Sequence, residues 1–215
     1  MSMGKFIVFE GQDGAGKSTQ LRMTSAYLAV AGVEHICVRD PGGTLLGEKV
    51  REVLLGCRET PICPWVEFLL FSASRAQLIH EIIRPALESG KTVLCDRWAL
   101  STLAYQGAGG EDVDRLVTML EMFNLPEPDL QLVYLVPDSV AQARMLGRGD
   151  KPDRFESRTE AFRRIVRRTY DNCLGFLRYG TGSKHTYRIA ADLSAEEVFE
   201  TSTKPLVQEV LNLSV

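Results

Sequence analysis

Apolar runs rich in β-branched and aromatic residues recur five times along the chain, and amphipathic stretches separate them. The strand-like runs lie at residues 5–10, 35–39, 91–95, 130–136 and 186–190. Strands that alternate with helical stretches are typical of a parallel sheet covered by helices on both faces. The pattern therefore predicts an α/β fold of three layers, built on a five-stranded parallel sheet.

Two of the amphipathic stretches carry a clear apolar stripe at helical spacing. The first lies between residues 111 and 124 and consists of Val113, Leu116, Val117 and Leu120. The second consists of Phe162, Ile165, Val166, Cys173, Leu174 and Leu177. Such stripes are the core-facing sides of helices in most globular proteins, so we interpret both as core and neither as a cofactor site.

Length and composition limit how the chain can be organised. It has 215 residues, of which 45% are apolar and 25% are charged, and these values are ordinary for a globular protein. The sequence contains no internal repeat and no apolar run long enough to cross a membrane, so we expect no membrane association. We expect a single domain over residues 1–215, with a small mobile insert.

Net charge and cysteine usage limit the ligands and the cellular location that we expect for the protein. A formal net charge of −3 offers no overall basic surface to a nucleic-acid backbone, so we expect any nucleotide ligand to be small. The cysteines include no C-x-x-C pair, and Cys37 and Cys95 lie in strand-like runs, where thiols pack as small hydrophobic groups. The first residues, Met1 to Lys5, lack the apolar region of a signal peptide, and Gly4 is not placed for myristoylation. These features indicate a reducing, cytoplasmic location.

A phosphate-binding motif follows the first apolar run. Residues 11–18 read Gly-Gln-Asp-Gly-Ala-Gly-Lys-Ser and match the pattern G-x-x-x-x-G-K-[ST], and a helical stretch begins at Lys17. In a strand–loop–helix of this kind, backbone N–H groups and the positive end of the helix dipole face the phosphates. Lys17 can then reach the β- and γ-phosphates, and the Ser18 hydroxyl can bind Mg²⁺. The predicted triphosphate-binding residues are Gly11, Gln12, Asp13, Gly14, Ala15, Gly16, Lys17, Ser18 and Thr19.

A second candidate cluster ends the strand-like run at 91–95. Asp96 and Arg97 follow this run directly, and open α/β sheets bind ligands at the carboxyl ends of their strands. Asp96 can hold a hydrated Mg²⁺, while the planar guanidinium of Arg97 can clamp a phosphate group. Beside a phosphate loop, these roles are favoured over a solvated surface pair.

A third cluster lies within a predicted helix. Phe71 and Arg75 are four residues apart and therefore share one helical face. An aromatic ring that stacks on a base would then adjoin a guanidinium that donates to a base carbonyl. On spacing alone, Phe71 could equally be a core residue.

The fourth cluster is rich in arginine, glycine and proline. Residues 148–154 lie between two helical patterns, and this composition predicts an exposed lid over about residues 144–156. Arg144 and Arg148 are four residues apart, and Arg154 lies at the far side of the loop. An arginine that closes over a γ-phosphate speeds phosphoryl transfer by about 10³- to 10⁵-fold, so these three are candidate catalytic residues together with Lys17 and Arg97.

Taken in order, these motifs resemble those of thymidylate kinases from the first strand to the last helix. The matching segments are 10–19 (EGQDGAGKST), 39–44 (RDPGGT), 71–75 (FSASR), 96–98 (DRW) and 101–107 (STLAYQG). The resemblance implies a P-loop kinase fold and the reaction of ATP with dTMP to give ADP and dTDP, assisted by Mg²⁺ at Ser18 and Asp96. Because Gly14 follows Asp13 and the arginines lie in the lid, it resembles the bacterial type. The family's dimers make a homodimer the expectation.

The resemblance also implies which residues contact dTMP. Phe71 would stack on thymine, Arg75 would bind its O4 edge, and Thr102 or Gln106 would lie near the other polar edge. Tyr105 would lie beneath the deoxyribose and crowd a 2′-hydroxyl. The full implied set is Asp13 (at the sugar 3′-hydroxyl), Arg51 and Arg97 (at the acceptor phosphate), Phe71, Arg75, Ser101, Thr102, Tyr105 and Gln106.

Two alternatives stay open at this point. A kinase of the same build could act on another monophosphate, such as dUMP, UMP or dCMP, because only the base and sugar contacts separate these substrates. A nucleotide-dependent switch would use hydrolysis as a timer and bind a protein partner. The arginine-rich lid and the Asp96–Arg97 pair favour a kinase.

Overall fold

Parallel strands form one central sheet in the computed structural model, which describes residues 3–56, 61–147, 149, 153–172 and 185–213. The described strands are β1 (Phe6–Gly11), β2 (His35–Arg39), β3 (Thr92–Asp96), β4 (Leu130–Leu135) and β5 (Thr186–Ala190). Their order is β2-β3-β1-β4-β5, and every neighbouring pair is parallel. The predicted five-stranded parallel sheet is therefore confirmed.

Helices connect the strands. They are α1 (Lys17–Val30), α2 (Leu45–Gly56), α3 (Pro64–Leu78), α4 (Arg84–Glu88), α5 (Ala99–Ala108), α6 (Val113–Met122), α7 (Asp138–Gly147), α8 (Glu160–Asp171), α9 (Ala195–Val198) and α10 (Lys204–Leu211). Single π-helical turns at Ile79–Ile83 and Phe199–Thr203 join α3 to α4 and α9 to α10. None of the helices among the described residues is long and apolar enough to span a membrane.

The alternation of side chains along β1 divides the core into two layers. Phe6 and Val8 face a cluster with α3, α5, α6 and α8, while Ile7 and Phe9 face the opposite cluster with α1 and α10. All six residues of β1 are buried, because the strand lies in the middle of the sheet with helices over both faces. The loop that follows β1 is therefore held on a rigid base.

Two sequence interpretations of apolar positions are wrong. Cys37 is exposed, because β2 is an edge strand of the sheet, whereas Cys95 on β3 is buried as expected. Ile165 is 47% exposed, although its neighbours Phe162 and Val166 on α8 are core residues. The end of the predicted stripe, Cys173, Leu174 and Leu177, lies outside the described residues.

Candidate active site

A cavity of about 490 Å³ opens at the carboxyl ends of β1 and β3. One wall is the phosphate loop and the start of α1, and the other is built by α3, α5 and the loop that follows β2. The predicted site residues that line it are Asp13, Gly14, Gly16, Lys17, Ser18, Thr19, Arg51, Phe71, Arg75, Asp96, Arg97, Ser101, Thr102, Tyr105, Gln106 and Arg144. Residues that are far apart in the sequence thus meet in one space, as the parallel sheet requires.

The phosphate loop depends on glycine at the positions where its backbone turns. Gly14 has φ of 75°, and a Cβ atom there would lie 2.5 Å from the Ala141 carbonyl oxygen. Gly16 has φ of 94° and precedes the first turn of α1. With these angles, the loop wraps around the start of the helix, where its N–H groups can bind phosphate oxygens.

Lys17 folds back onto its own loop. Its Nζ donates to the Gln12 carbonyl oxygen at 2.8 Å, and only 6% of the residue is exposed. Burial, with a smaller contribution from the Arg97 charge, lowers the pKa of Lys17 to about 8 against the opposing charge of Asp96. An anion bound on the loop would offer this ammonium a better partner than a neutral carbonyl.

Ser18 and Asp96 meet at the mouth of the phosphate loop. The Ser18 Oγ donates to Asp96 Oδ2 at 2.6 Å, which places a hydroxyl and a carboxylate side by side where α1 begins. Oxygen ligands of this kind fit Mg²⁺, which in nucleotide enzymes takes one or two protein oxygens, phosphate oxygens and water. The donor set therefore suits a Mg²⁺–nucleotide complex.

Arg97 connects the phosphate loop to α5. Its backbone is left-handed, with φ of 71°, so the side chain turns toward the loop directly after β3 ends. Its guanidinium donates to the Gly11 carbonyl oxygen at 3.1 Å, to the Tyr105 hydroxyl at 3.2 Å and to Asp13, with which it forms an ion pair. The Tyr105 hydroxyl in turn donates to Asp13 at 2.7 Å. A phosphate placed here would meet a guanidinium whose orientation is fixed by these hydrogen bonds.

A buried ion pair forms the far wall. Arg75 Nε donates to Asp40 Oδ2 at 2.6 Å, and both side chains are at most 2% exposed. Arg75 Nη2 also donates to the Thr102 hydroxyl at 2.9 Å, so Asp40 and Thr102 together fix the guanidinium. Burial raises the pKa of Asp40, while the Arg75 charge opposes that shift. The guanidinium is therefore held in one orientation beside the cavity.

Two donors at this wall face the cavity without a bond to the described part of the chain. Arg75 Nη1 and Gln106 Nε2 are buried and have no hydrogen-bond partner among the described residues. Buried donors without partners are costly, so such groups are usually completed by a ligand or water. Phe71 lies on the same wall as an aromatic surface. This wall can accept a flat ring that carries carbonyl groups.

Two predicted residues at the rim bond to backbone oxygens. Arg51 Nη1 donates to the Pro41 carbonyl oxygen at 3.1 Å, and Arg144 Nη2 donates to the Leu193 carbonyl oxygen at 3.2 Å. Both arginines line the cavity, so their remaining N–H groups can address phosphate oxygens there.

Four predicted site residues lie elsewhere. Gln12 turns its side chain toward the Val136 carbonyl oxygen at 3.0 Å, and Gly11 and Ala15 lie behind the cavity lining. Arg154 does not line the cavity and instead pairs with Glu67 on α3 at 2.5 Å. Arg148 lies outside the described residues.

The sequence offered little sign of two residues that shape this site. Glu10 is fully buried and accepts hydrogen bonds from the Trp98 N–H at 2.8 Å and from the Ser101 N–H at 3.0 Å, so it caps the start of α5. Its position directly before the phosphate loop was the feature of the sequence that pointed to a role in the site. Phe155 also lines the cavity, with its ring 5.8 Å from that of Tyr105. Because Phe155 lies in a loop, no helical or strand periodicity marks it as a site residue.

Fold and cavity together define a nucleotide kinase of the P-loop class, since the phosphate loop shares the cavity with a second wall that carries Phe71, Arg75 and Gln106, and Arg97 lies between the two. A family model described as thymidylate kinase matches residues 9–200. The chain belongs to the thymidylate kinase family, which consists of ATP-dependent phosphotransferases.

Curated relatives agree with this assignment. A thymidylate kinase of Pelotomaculum thermopropionicum is 40% identical over 97% of this chain and 95% of the relative. That of Deinococcus radiodurans is 47% identical over 79% of this chain and 82% of the relative. That of Pseudomonas entomophila is 46% identical over 78% of this chain and 80% of the relative.

Proposed function

We propose that the chain transfers the γ-phosphoryl group of ATP to the 5′-phosphate of dTMP, giving ADP and dTDP. The observation that carries this assignment is the shared cavity, in which a phosphate loop and a base-sized wall face each other across Arg97. The kinase reaction needs both halves, whereas a hydrolytic switch needs only the first.

The donor half binds the phosphates of ATP. The loop N–H groups and the start of α1 hold the β- and γ-phosphates, and Lys17 leaves the Gln12 carbonyl to bind them. Ser18 and Asp96 would hold Mg²⁺. When bound, Mg²⁺ would offset negative charge on the phosphate oxygens and so favour attack at the γ-phosphorus, with ADP as the leaving group.

The acceptor half binds dTMP. Arg97 and Arg51 hold the 5′-phosphate, and Asp13 accepts from the sugar 3′-hydroxyl. Phe71 stacks on thymine, while Arg75 Nη1 donates to the O4 carbonyl and the Gln106 amide, near Thr102, addresses the remaining polar edge. Ser101 supports Arg97, since Arg97 Nη1 donates to its hydroxyl at 3.3 Å.

The lid arginines complete the site. We propose that Arg144 and Arg148 act from the lid, over about residues 144–156, and bring positive charge to the transferring phosphoryl group, whereas Arg154 pairs with Glu67 on α3. Arg144 lines the cavity, and its Nη1 lies 3.7 Å from where a Cβ atom on Gly16 would be. Closure also excludes water, which would otherwise compete with dTMP as the acceptor.

Label transfer tests the reaction itself. With [γ-³²P]ATP, Mg²⁺ and dTMP, the label should appear in dTDP, and little inorganic phosphate should form without dTMP. Release of labelled phosphate at the same rate with and without dTMP would contradict the kinase assignment and support a switch.

Tyr105 should determine the preference for deoxyribose. Tyr105→Ala is expected to lower the dUMP-over-UMP ratio of kcat/KM by at least about tenfold, because the space of the lost ring admits a 2′-hydroxyl. The pair dUMP and UMP differs only at this hydroxyl, so the thymine methyl group does not enter the comparison. Tyr105→Phe keeps the ring but loses hydrogen bonds to Asp13 and Arg97, so it should lose only about fivefold in activity and keep the ratio. An unchanged dUMP-over-UMP ratio in Tyr105→Ala would contradict the steric role of Tyr105.

We also propose that the protein is a cytoplasmic homodimer. An exposed apolar stripe runs along α3 through Val66, Leu69, Ala73 and Ala76, and Val53 of α2 is also exposed. Apolar stripes of this kind mark protein interfaces, and a second copy would cover this one.

Leu69→Glu should convert the dimer to a monomer in light scattering, and Val30→Glu on the exposed end of α1 is the matched control. A wild-type monomer would contradict the dimer.

A further inference from the structure

We propose that Glu67 is a positioning residue for dTMP binding, because it anchors the roof of the acceptor half of the cavity. The roof segment is defined as residues 153–158, which include the end of the predicted lid and lead into α8. This role rests on the proposed function, since it assigns a new residue to the same site.

The anchor is a buried carboxylate shared by two arginines. Glu67 lies on α3, one turn before Phe71, and is 1% exposed. It accepts hydrogen bonds from Arg154 Nη1 at 2.5 Å and from Arg158 Nη2 at 3.1 Å. A carboxylate that is buried to this degree is stable in its charged form only when cations compensate it. The two arginines of the roof segment supply that charge.

The same arginines both lie over one aromatic ring, that of Phe155. Their guanidinium carbons lie 4.6 Å (Arg154) and 6.0 Å (Arg158) from the centroid of the Phe155 ring. Arg154 is fixed a second time, because its Nε donates to the Leu54 carbonyl oxygen at 2.8 Å. The orientation of Phe155 is thus tied to α2 and α3 through side chains of its neighbours.

A local turn makes the roof segment a compact unit. Asp153 Oδ1 accepts from the N–H groups of Phe155 and Glu156, both at 2.8 Å. The turn directs Phe155 inward, where it is 6% exposed and lines the cavity. Movement of the anchor would therefore move the ring.

Phe155 packs on the residues assigned to dTMP. Its ring centroid lies 5.8 Å from that of Phe71 and 5.8 Å from that of Tyr105. Glu67 therefore acts on the base and sugar contacts through Arg154, Arg158 and Phe155 without touching the substrate. Loss of the anchor should weaken dTMP binding and leave the ATP half of the cavity unaffected.

The test compares Glu67→Gln with Glu52→Gln, an exposed carboxylate on α2. Glu67→Gln is expected to raise the KM for dTMP about tenfold, with kcat and the KM for ATP within about twofold of wild type. Glu67→Asp keeps the charge and should recover part of the affinity. A fall in kcat with an unchanged KM for dTMP, or equal rises in both KM values, would overturn the positioning role.

A double-mutant cycle with Phe155→Ala tests the route of action. If Glu67 acts through Phe155, the double variant should have the KM for dTMP of Phe155→Ala alone, whereas multiplied effects would contradict the route.

Should Glu67→Gln unfold, Arg158→Met, which leaves the Arg154–Glu67 pair in place, should still raise the KM for dTMP about threefold, and an unchanged KM would overturn the role. If the wild-type protein does not phosphorylate dTMP, that result contradicts the proposed function rather than the positioning role of Glu67.

Discussion

Replacing Arg97 by alanine is expected to lower kcat with dTMP by at least about 10²-fold while the protein stays folded. The guanidinium lies between the two halves of the cavity and bonds to Gly11 of the loop and to Tyr105 of α5. In the proposed reaction, a phosphate held there would be aligned with the γ-phosphate of ATP, and the cation would offset charge that grows during transfer. Because this alignment is needed in the transition state, the loss should fall on kcat as well as on KM.

The conservative and control variants make the Arg97 test specific. Arg97→Lys keeps the charge but loses the planar fork, so it should recover only part of the rate. Arg84→Ala, at an exposed arginine on α4, should retain wild-type turnover. Steady-state kinetics with both substrates saturating and circular dichroism of each variant decide the matter, and near-wild-type turnover of Arg97→Ala would refute the assigned role.

The second large effect is expected for Lys17→Ala, which should also lower kcat by at least about 10²-fold. Lys17 is nearly buried at the start of α1, and its ammonium donates a hydrogen bond to the neutral Gln12 carbonyl oxygen. Bound ATP would replace this neutral partner with charged oxygens. The ammonium then stabilises charge on the β–γ bridge as that bond breaks.

The low pKa of Lys17 gives this prediction a pH signature. With a pKa of about 8 in the free protein, Lys17 loses its proton above pH 8, whereas bound phosphates favour the charged form and raise the pKa. Binding of ATP then takes up a proton, so affinity should fall as pH rises above 8, by up to about tenfold per pH unit. Calorimetric titration of ATP should show this fall in the wild type and not in Lys17→Ala. The same slope in both proteins would assign the titration to another group.

Local patterns were sufficient to predict that Asp96 lies beside the phosphate loop. The phosphate loop has a fixed spacing, and the alternation of strands and helices implied that Asp96 would end beside it. The Ser18–Asp96 contact follows from these two facts. Arg75 was found from its spacing to Phe71, because both lie on one face of α3.

The remaining features depend on packing between distant segments. Glu67 and Phe155 are brought together by the roof segment, and no periodicity relates α3 to that segment. Arg154 was one of three candidate catalytic arginines of the lid, yet it forms hydrogen bonds with Glu67 and Leu54. The exposure of Cys37 follows from the edge position of β2, since an apolar run does not reveal which strand lies at the edge.

The central claim is that the cavity accepts thymidylate as the phosphoryl acceptor. The most direct measurement is coupled ADP release with ATP and Mg²⁺, in the absence of an acceptor and with dTMP, dUMP, dCMP, UMP, AMP or GMP. We predict strong turnover with dTMP, little without an acceptor and weaker turnover with every other nucleotide. Equal turnover with no acceptor, or a clear preference for another monophosphate, would contradict the assignment of the acceptor wall.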